Sequence, residues 1–157
     1  MHAQLKVVED DNEFQPVMLA TQDQLNLYWP QAAPLLQKVV DRGTYDGRTV
    51  QELYMGVLEH RLQAFVIARD GGEMPEISQI VITELVQQPQ MAAMTVVAIG
   101  GKQADLFRSK FWKHICSWAY MSGIRMMECY VVPGREHMVS TGGFKPAYSL
   151  MRKDLTE

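Results

Sequence analysis

Residues 94–132 read MTVVAIGGKQADLFRSKFWKHICSWAYMSGIRMMECYVV. Met94 to Ile99 is short, apolar and β-branched, the composition of a strand buried on both faces. Gly100-Gly101-Lys102-Gln103 leads from it straight into a helical pattern. Ala104, Phe107, Phe111, Ile115, Trp118 and Ala119 recur at about 3.6-residue spacing, which predicts one long helix over 104–122 closed by Gly123. Arg125 to Val132 returns as a strand, and Pro133-Gly134 breaks it. Strand, helix, strand is a crossover, so this part of the chain belongs to an α/β sheet rather than to a bundle or a sandwich.

Upstream, the pattern is that of hairpins. Ala64 to Ala68 and Ile77 to Val86 read as strands, separated by the turn Asp70-Gly71-Gly72. A second turn around Pro89 leads to the 94–99 strand. Thr49 and Glu52 form a capping box, and Val50, Leu53, Tyr54, Val57 and Leu58 share one helical face, so Thr49 to Glu59 is a helix. Leu25 to Val40 also has a helical pattern but contains Pro30 and Pro34. A proline is tolerated in a first turn, so the expected helix starts at one of them and stops at Gly43. Val17 to Ala20 and residues 3–8 are short strand candidates, with an acidic loop from Glu9 to Glu13 between them. Downstream, a short helix is expected from Arg135 to about Ser140, then one or two strands over Lys145 to Asp154. The sum is one domain over residues 1–157, with 1–15 as an N-terminal extension or edge strand, and helices on both faces of a sheet.

The chain has 157 residues, 47% of them apolar and 21% charged, an average soluble composition that argues against disorder. No apolar run approaches the roughly 18–20 residues of a membrane span. The opening residues show no secretory signal, so the chain is not expected to be secreted. Two cysteines, Cys116 and Cys129, make no disulfide framework and fit a reduced compartment as buried structural thiols. The net charge of -3 hides an asymmetry: residues 1–99 hold 6 Lys/Arg against 13 Asp/Glu, and residues 100–157 hold 9 against 5. The basic half suits an anion or simply solvates a face; lacking a tight Lys/Arg cluster, it does not point to nucleic acid.

Few residues carry chemistry on their own. The glycine pair before the helix admits two readings: backbone amides bared for an anion, with Lys102 adding charge, or a tight turn needing positive φ. No phosphate-binding GxxxxGK loop, dinucleotide GxGxxG or GxSxG elbow occurs. His2, His60, His114 and His137 form no ligand pair with each other or with cysteine, so no metal site is expected. Glu84 and Glu128 stand in otherwise apolar strands. A carboxylate there can serve as a base or lie on the solvent face.

FWKHICSWAYMSGIRMMECYVV and STGGFKPAYSLMRKDL together resemble the Gcn5-related N-acetyltransferase (GNAT) superfamily over residues 64–157. The resemblance implies a central mixed, mostly antiparallel sheet splayed between the 94–99 and 125–132 strands. It also implies an acetyl-CoA site at the start of the helix, on Gly100, Gly101, Lys102 and Gln103, with Glu84 as the catalytic base. The family holds pyrophosphate with a Gln/Arg-x-x-Gly-x-Gly/Ala loop. Here that loop is QADLFR, residues 103–108, which keeps Gln103 and lacks both glycines. A tyrosine acid common in the family is replaced by Val139. Trp29, Pro34-Leu35, Gly100-Gly101, Gly134-Arg135, Gly143-Phe144 and Lys153-Asp154-Leu155 further resemble small GNAT-like proteins encoded among tailed-bacteriophage head and tail genes. That narrower likeness implies a non-catalytic virion or assembly protein without a cofactor, bound to head or tail components or to its own copies, in the virion or the host cytoplasm. The alternative is an active acetyl-CoA-dependent N-acetyltransferase.

Overall fold

The computed structural model describes residues 14–44, 46–101 and 103–156, with the backbone alone at 103–105. The strand expected over 3–8 and the acidic loop after it lie outside these residues. Among the described residues, five strands form one sheet in the order β1 (Gln15–Met18), β2 (Leu62–Arg69), β3 (Glu76–Gln87), β4 (Ala92–Gly101) and β5 (Met126–Cys129). β1 to β4 are antiparallel neighbours, and β5 runs parallel to β4. This is the mixed, mostly antiparallel sheet expected from the sequence.

Helices cover both faces. α1 (Gln22–Arg42) and α2 (Val50–Leu58) lie on one, over Ala64, Val66, Ala68, Ile80, Ile82 and Ala98. α3 (Gln103–Arg108) and α4 (Lys110–Met121) lie on the other, over Phe65, Ile67, Val81, Met94 and Val96. The period-2 alternation of each strand therefore feeds two separate apolar cores. α5 (His137–Ser140) is the short helix expected after Gly134. Among the described residues no helix is long and apolar enough to cross a membrane.

α2 forms as its pattern dictates. The Thr49 side chain accepts the Glu52 N–H, and Leu53 and Val57 are buried. The helix closes with the 6→1 and 5→2 bonds of a Schellman motif, Arg61 N to Gly56 O (2.8 Å) and His60 N to Val57 O (3.1 Å). The left-handed position, usually glycine, is filled by His60 at φ 61°. α2 also presses close to β2, since a Cβ on Gly56 would stand 2.5 Å from Leu62 Cδ1.

Three expectations are corrected. First, α1 starts at Gln22 rather than at a proline. Thr21 and Gln24 form a full capping box there. Pro30 and Pro34 are four residues apart on the exposed face, so the two unpaired carbonyls, Asn26 and Pro30, face water. The buried face of Leu25, Ala32 and Leu36 is untouched. Second, the long helix is interrupted at Ser109, whose hydroxyl donates to Leu106 O (3.1 Å) and accepts the Phe111 N–H (3.2 Å). A serine that bonds both neighbouring turns ends one helix and caps the next. Third, residues 145–156 form no strand. Tyr148, Leu150, Met151 and Leu155 are all exposed there, so no buried apolar face holds the segment to the sheet.

Replacing His60 by glycine should raise unfolding stability by about 1 kcal/mol, by removing the left-handed penalty. Urea denaturation should show the midpoint moving up.

Candidate functional site

The site is built around β4. Its ladder with β3 pairs Ala98 with Ile82 and Val96 with Thr83, so Val97 is an extra residue, a bulge. The bulge changes the parity of the strand. Met94 and Val96 face α3 and α4, whereas Val97 and Ala98 both belong to the core under α1 and α2. At the same point β5 departs. It pairs with β4 only from Ala93–Met126 to Val96–Cys129, while β4 continues to Gly101. The two parallel strands thus open into a wedge beyond Val96, as expected between these segments.

Gly100 and Gly101 end β4 at the mouth of this wedge. A Cβ on Gly100 would stand 3.0 Å from the Leu35 backbone, so that glycine lets α1 cross β4 closely. Gly101 has φ +98°, and a Cβ there would stand 2.2 Å from Ser78 O. Both glycines are required by the protein's own packing. Gln103 opens α3, with its side chain outside the described atoms, and Lys102 lies outside the described residues. In the segment corresponding to the family's pyrophosphate loop, Leu106 is fully buried in the second core and Phe107 nearly so. The bulk at Leu106 is therefore turned inward, away from the start of the helix. Val139 is also packed against the second core.

Glu84 stands elsewhere. It is opposite Thr95 on β4, whereas Gly100 is opposite Ile80. Four residues of β3 separate them, about 13 Å at the strand rise of about 3.3 Å. The structure thus joins the glycine pair to α3 but keeps Glu84 further along the ladder, on the α1/α2 face. There Arg48 Nη2 donates to Glu84 Oε1 (3.1 Å) and Oε2 (3.0 Å), and Arg48 Nε lies 2.5 Å from Asp46 Oδ2. Arg48 was not singled out from the sequence; it is 36 residues from Glu84, and no spacing rule links them. Arg48 and Glu84 border a cavity of about 320 Å³ that also touches Glu52, Met55 and Arg61.

Glu128, on β5, accepts from Gln88 Nε2 (3.0 Å). Cys116 and Cys129 are half-buried against the second core, and burial pushes both thiols up from their ordinary range. Among the described residues, no cluster of His, Cys, Asp and Glu is arranged to hold a metal ion.

Solved structures with this arrangement include acetyltransferases. An aminoglycoside acetyltransferase from an uncultured soil metagenomic sample, crystallised with sisomicin, superimposes with TM-score 0.66 at 12% identity, covering 92% of this chain and 98% of its own. The ribosomal-protein-alanine N-acetyltransferase of Brucella melitensis biovar Abortus 2308 gives TM-score 0.58 at 13% identity, covering 90% and 97%. The fold is the GNAT fold. No family model and no curated protein matches the sequence. Against these GNAT structures the expected sheet and its flanking helices hold.

Because their pKa values are raised, Cys116 and Cys129 carry less thiolate at pH 8 than a free thiol. Iodoacetamide should therefore alkylate both more slowly in the folded chain than in urea, with the gap narrowing as pH rises. Peptide mass spectrometry over time would read both rates.

Proposed function

We propose that this chain is an acyl-CoA-dependent N-acyltransferase. The observation that supports it most is the wedge between β4 and β5 set by the Val97 bulge. Beyond Val96, β4 presents a strand edge that β5 no longer covers. The pantetheine arm of CoA is an extended chain with two amides, and such chains add to strand edges by backbone hydrogen bonds. The backbone of Val97 and Ala98, just past the last β5 pair, fits that arm, and the junction of β4 with α3 would face the pyrophosphate. When bound, the cofactor supplies an activated acyl thioester.

The chain's own residues would do the rest. The cavity beside Glu84 admits an amine between acidic and basic groups. Arg48 orients the Glu84 carboxylate, which takes the proton from the acceptor amine through water. The solvent-facing basic residues Arg108, Lys110 and Lys145 suit the phosphates.

One observation favours a second reading, a GNAT-fold protein that does no chemistry and serves as a phage virion or assembly component. Leu106 replaces a loop glycine and is fully buried, and Val139 replaces the tyrosine acid. In that reading head or tail proteins are the partners, in the virion or the host cytoplasm.

Titration calorimetry with acetyl-CoA separates the two. The enzyme reading expects a Kd within about 1 µM to 1 mM, the common range for enzyme–substrate pairs. It also expects thiol release with an amine panel, cut by about 100-fold in Glu84→Gln at unchanged cofactor affinity. Absence of binding at millimolar acetyl-CoA would overturn it, and recovery of the chain in purified particles would support the second reading.

A further inference from the structure

Glu84, Thr95 and Glu128 form one row across three strands. Thr95 on β4 is opposite Glu84 on β3 and opposite Glu128 on β5. Directly opposed residues share a face of the sheet. Met127 and Cys129 pack against the second core, so Glu128 between them turns to the α1/α2 face, where Glu84 also stands. The two carboxylate positions are two strand spacings apart, about 10 Å. The wedge opens one pair further on, beyond Val96 and Cys129.

The two carboxylates are matched differently. Arg48 neutralises Glu84. Glu128 is half-buried and accepts from the neutral side-chain amide of Gln88 (3.0 Å). Among the described residues no lysine or arginine pairs with it. A half-buried carboxylate without a counter-charge favours a cation from outside. Between the two carboxylates, Thr95 is 5% exposed, and among the described residues its hydroxyl has no hydrogen-bond partner. Met126, two residues before Glu128 and on the same face, is 44% exposed and adds apolar surface beside the charge.

We propose that the acceptor is an aliphatic diamine and that Glu128 is the specificity-determining residue that binds its second ammonium. The inference rests on the acyltransferase reading. The reacting nitrogen stands over Thr95 at the mouth of the wedge. There the Thr95 oxygen accepts from one N–H, and Glu84 takes the proton through water. The second ammonium pairs with Glu128, and Met126 gives the methylene chain an apolar neighbour. A monoamine leaves Glu128 without a counter-charge, and that deficit is the basis of discrimination.

Titration calorimetry on the full chain without cofactor should compare diaminopentane with pentylamine, which has the same carbon chain and one cation fewer. The diamine should bind about 10-fold more tightly or better, the scale of one hydrogen bond to a charged group. Glu128→Gln should remove that difference and leave pentylamine binding unchanged. Glu73→Gln, which deletes a carboxylate from the β2–β3 turn, should leave the difference in place. Equal or undetectable binding of the two amines overturns the proposal, as does an equal loss in Glu73→Gln. With acetyl-CoA added, the same preference should appear in kcat/KM for thiol release. A diamine preference that depends on Glu128, with no thiol release, would uphold the dication site and overturn the acyltransferase reading. Thiol release at equal kcat/KM for both amines would uphold that reading and overturn the dication site.

Discussion

One extra residue in β4 governs most of this architecture. With Val97 inserted, the strand meets α3 and α4 through Met94 and Val96 and then meets α1 through Ala98 and Gly100. A bulge also adds local twist. β5 lies on the far side of β4 and keeps its register only up to that point. The wedge, the close crossing of α1 at Leu35 and the sharp exit through Gly101 all lie within five residues of it. Moving the bulge would move all three.

The parts of the fold legible in the sequence were those whose local signals agree. α2 has a cap, an amphipathic face and a strand-forming run after it, and it forms as read. The three central strands are apolar runs between clear turns. Where signals conflicted, the outcome turned on tertiary placement. The two prolines of α1 argue for a break, but both face solvent, and Thr21 with Gln24 was the overlooked start signal. Ser109 looks like one polar position in a long helix, and only its two hydrogen bonds reveal a joint. The terminal apolar residues read as strands, yet a strand requires a neighbouring edge, which sequence pattern cannot supply.

The site was legible to a similar degree. An acidic residue in an apolar strand drew attention to Glu84, but its Arg48 partner comes from the loop before α2, and only the folded sheet brings them together. The glycine pair was open to two readings. Geometry gives both residues a packing reason, one against Leu35 and one at positive φ. At Leu106 the sequence shows only that a loop glycine is missing, whereas the fold directs the added bulk into the core.

The two cores differ in how they are distributed along the chain. Every buried member of the first lies between Leu19 and Ala98. The second borrows Phe65, Ile67, Val81, Met94 and Val96 and covers them with residues from Leu106 to Ile124. During synthesis, then, the first hundred residues carry all they need to close one side of the sheet, using hairpin contacts near in sequence. The other side stays bare, with a row of large apolar side chains, until α3 and α4 emerge. Once the first hundred residues have cleared the ribosome and before α3 and α4 follow, the chain is a half-covered sheet, folded on one face and adhesive on the other.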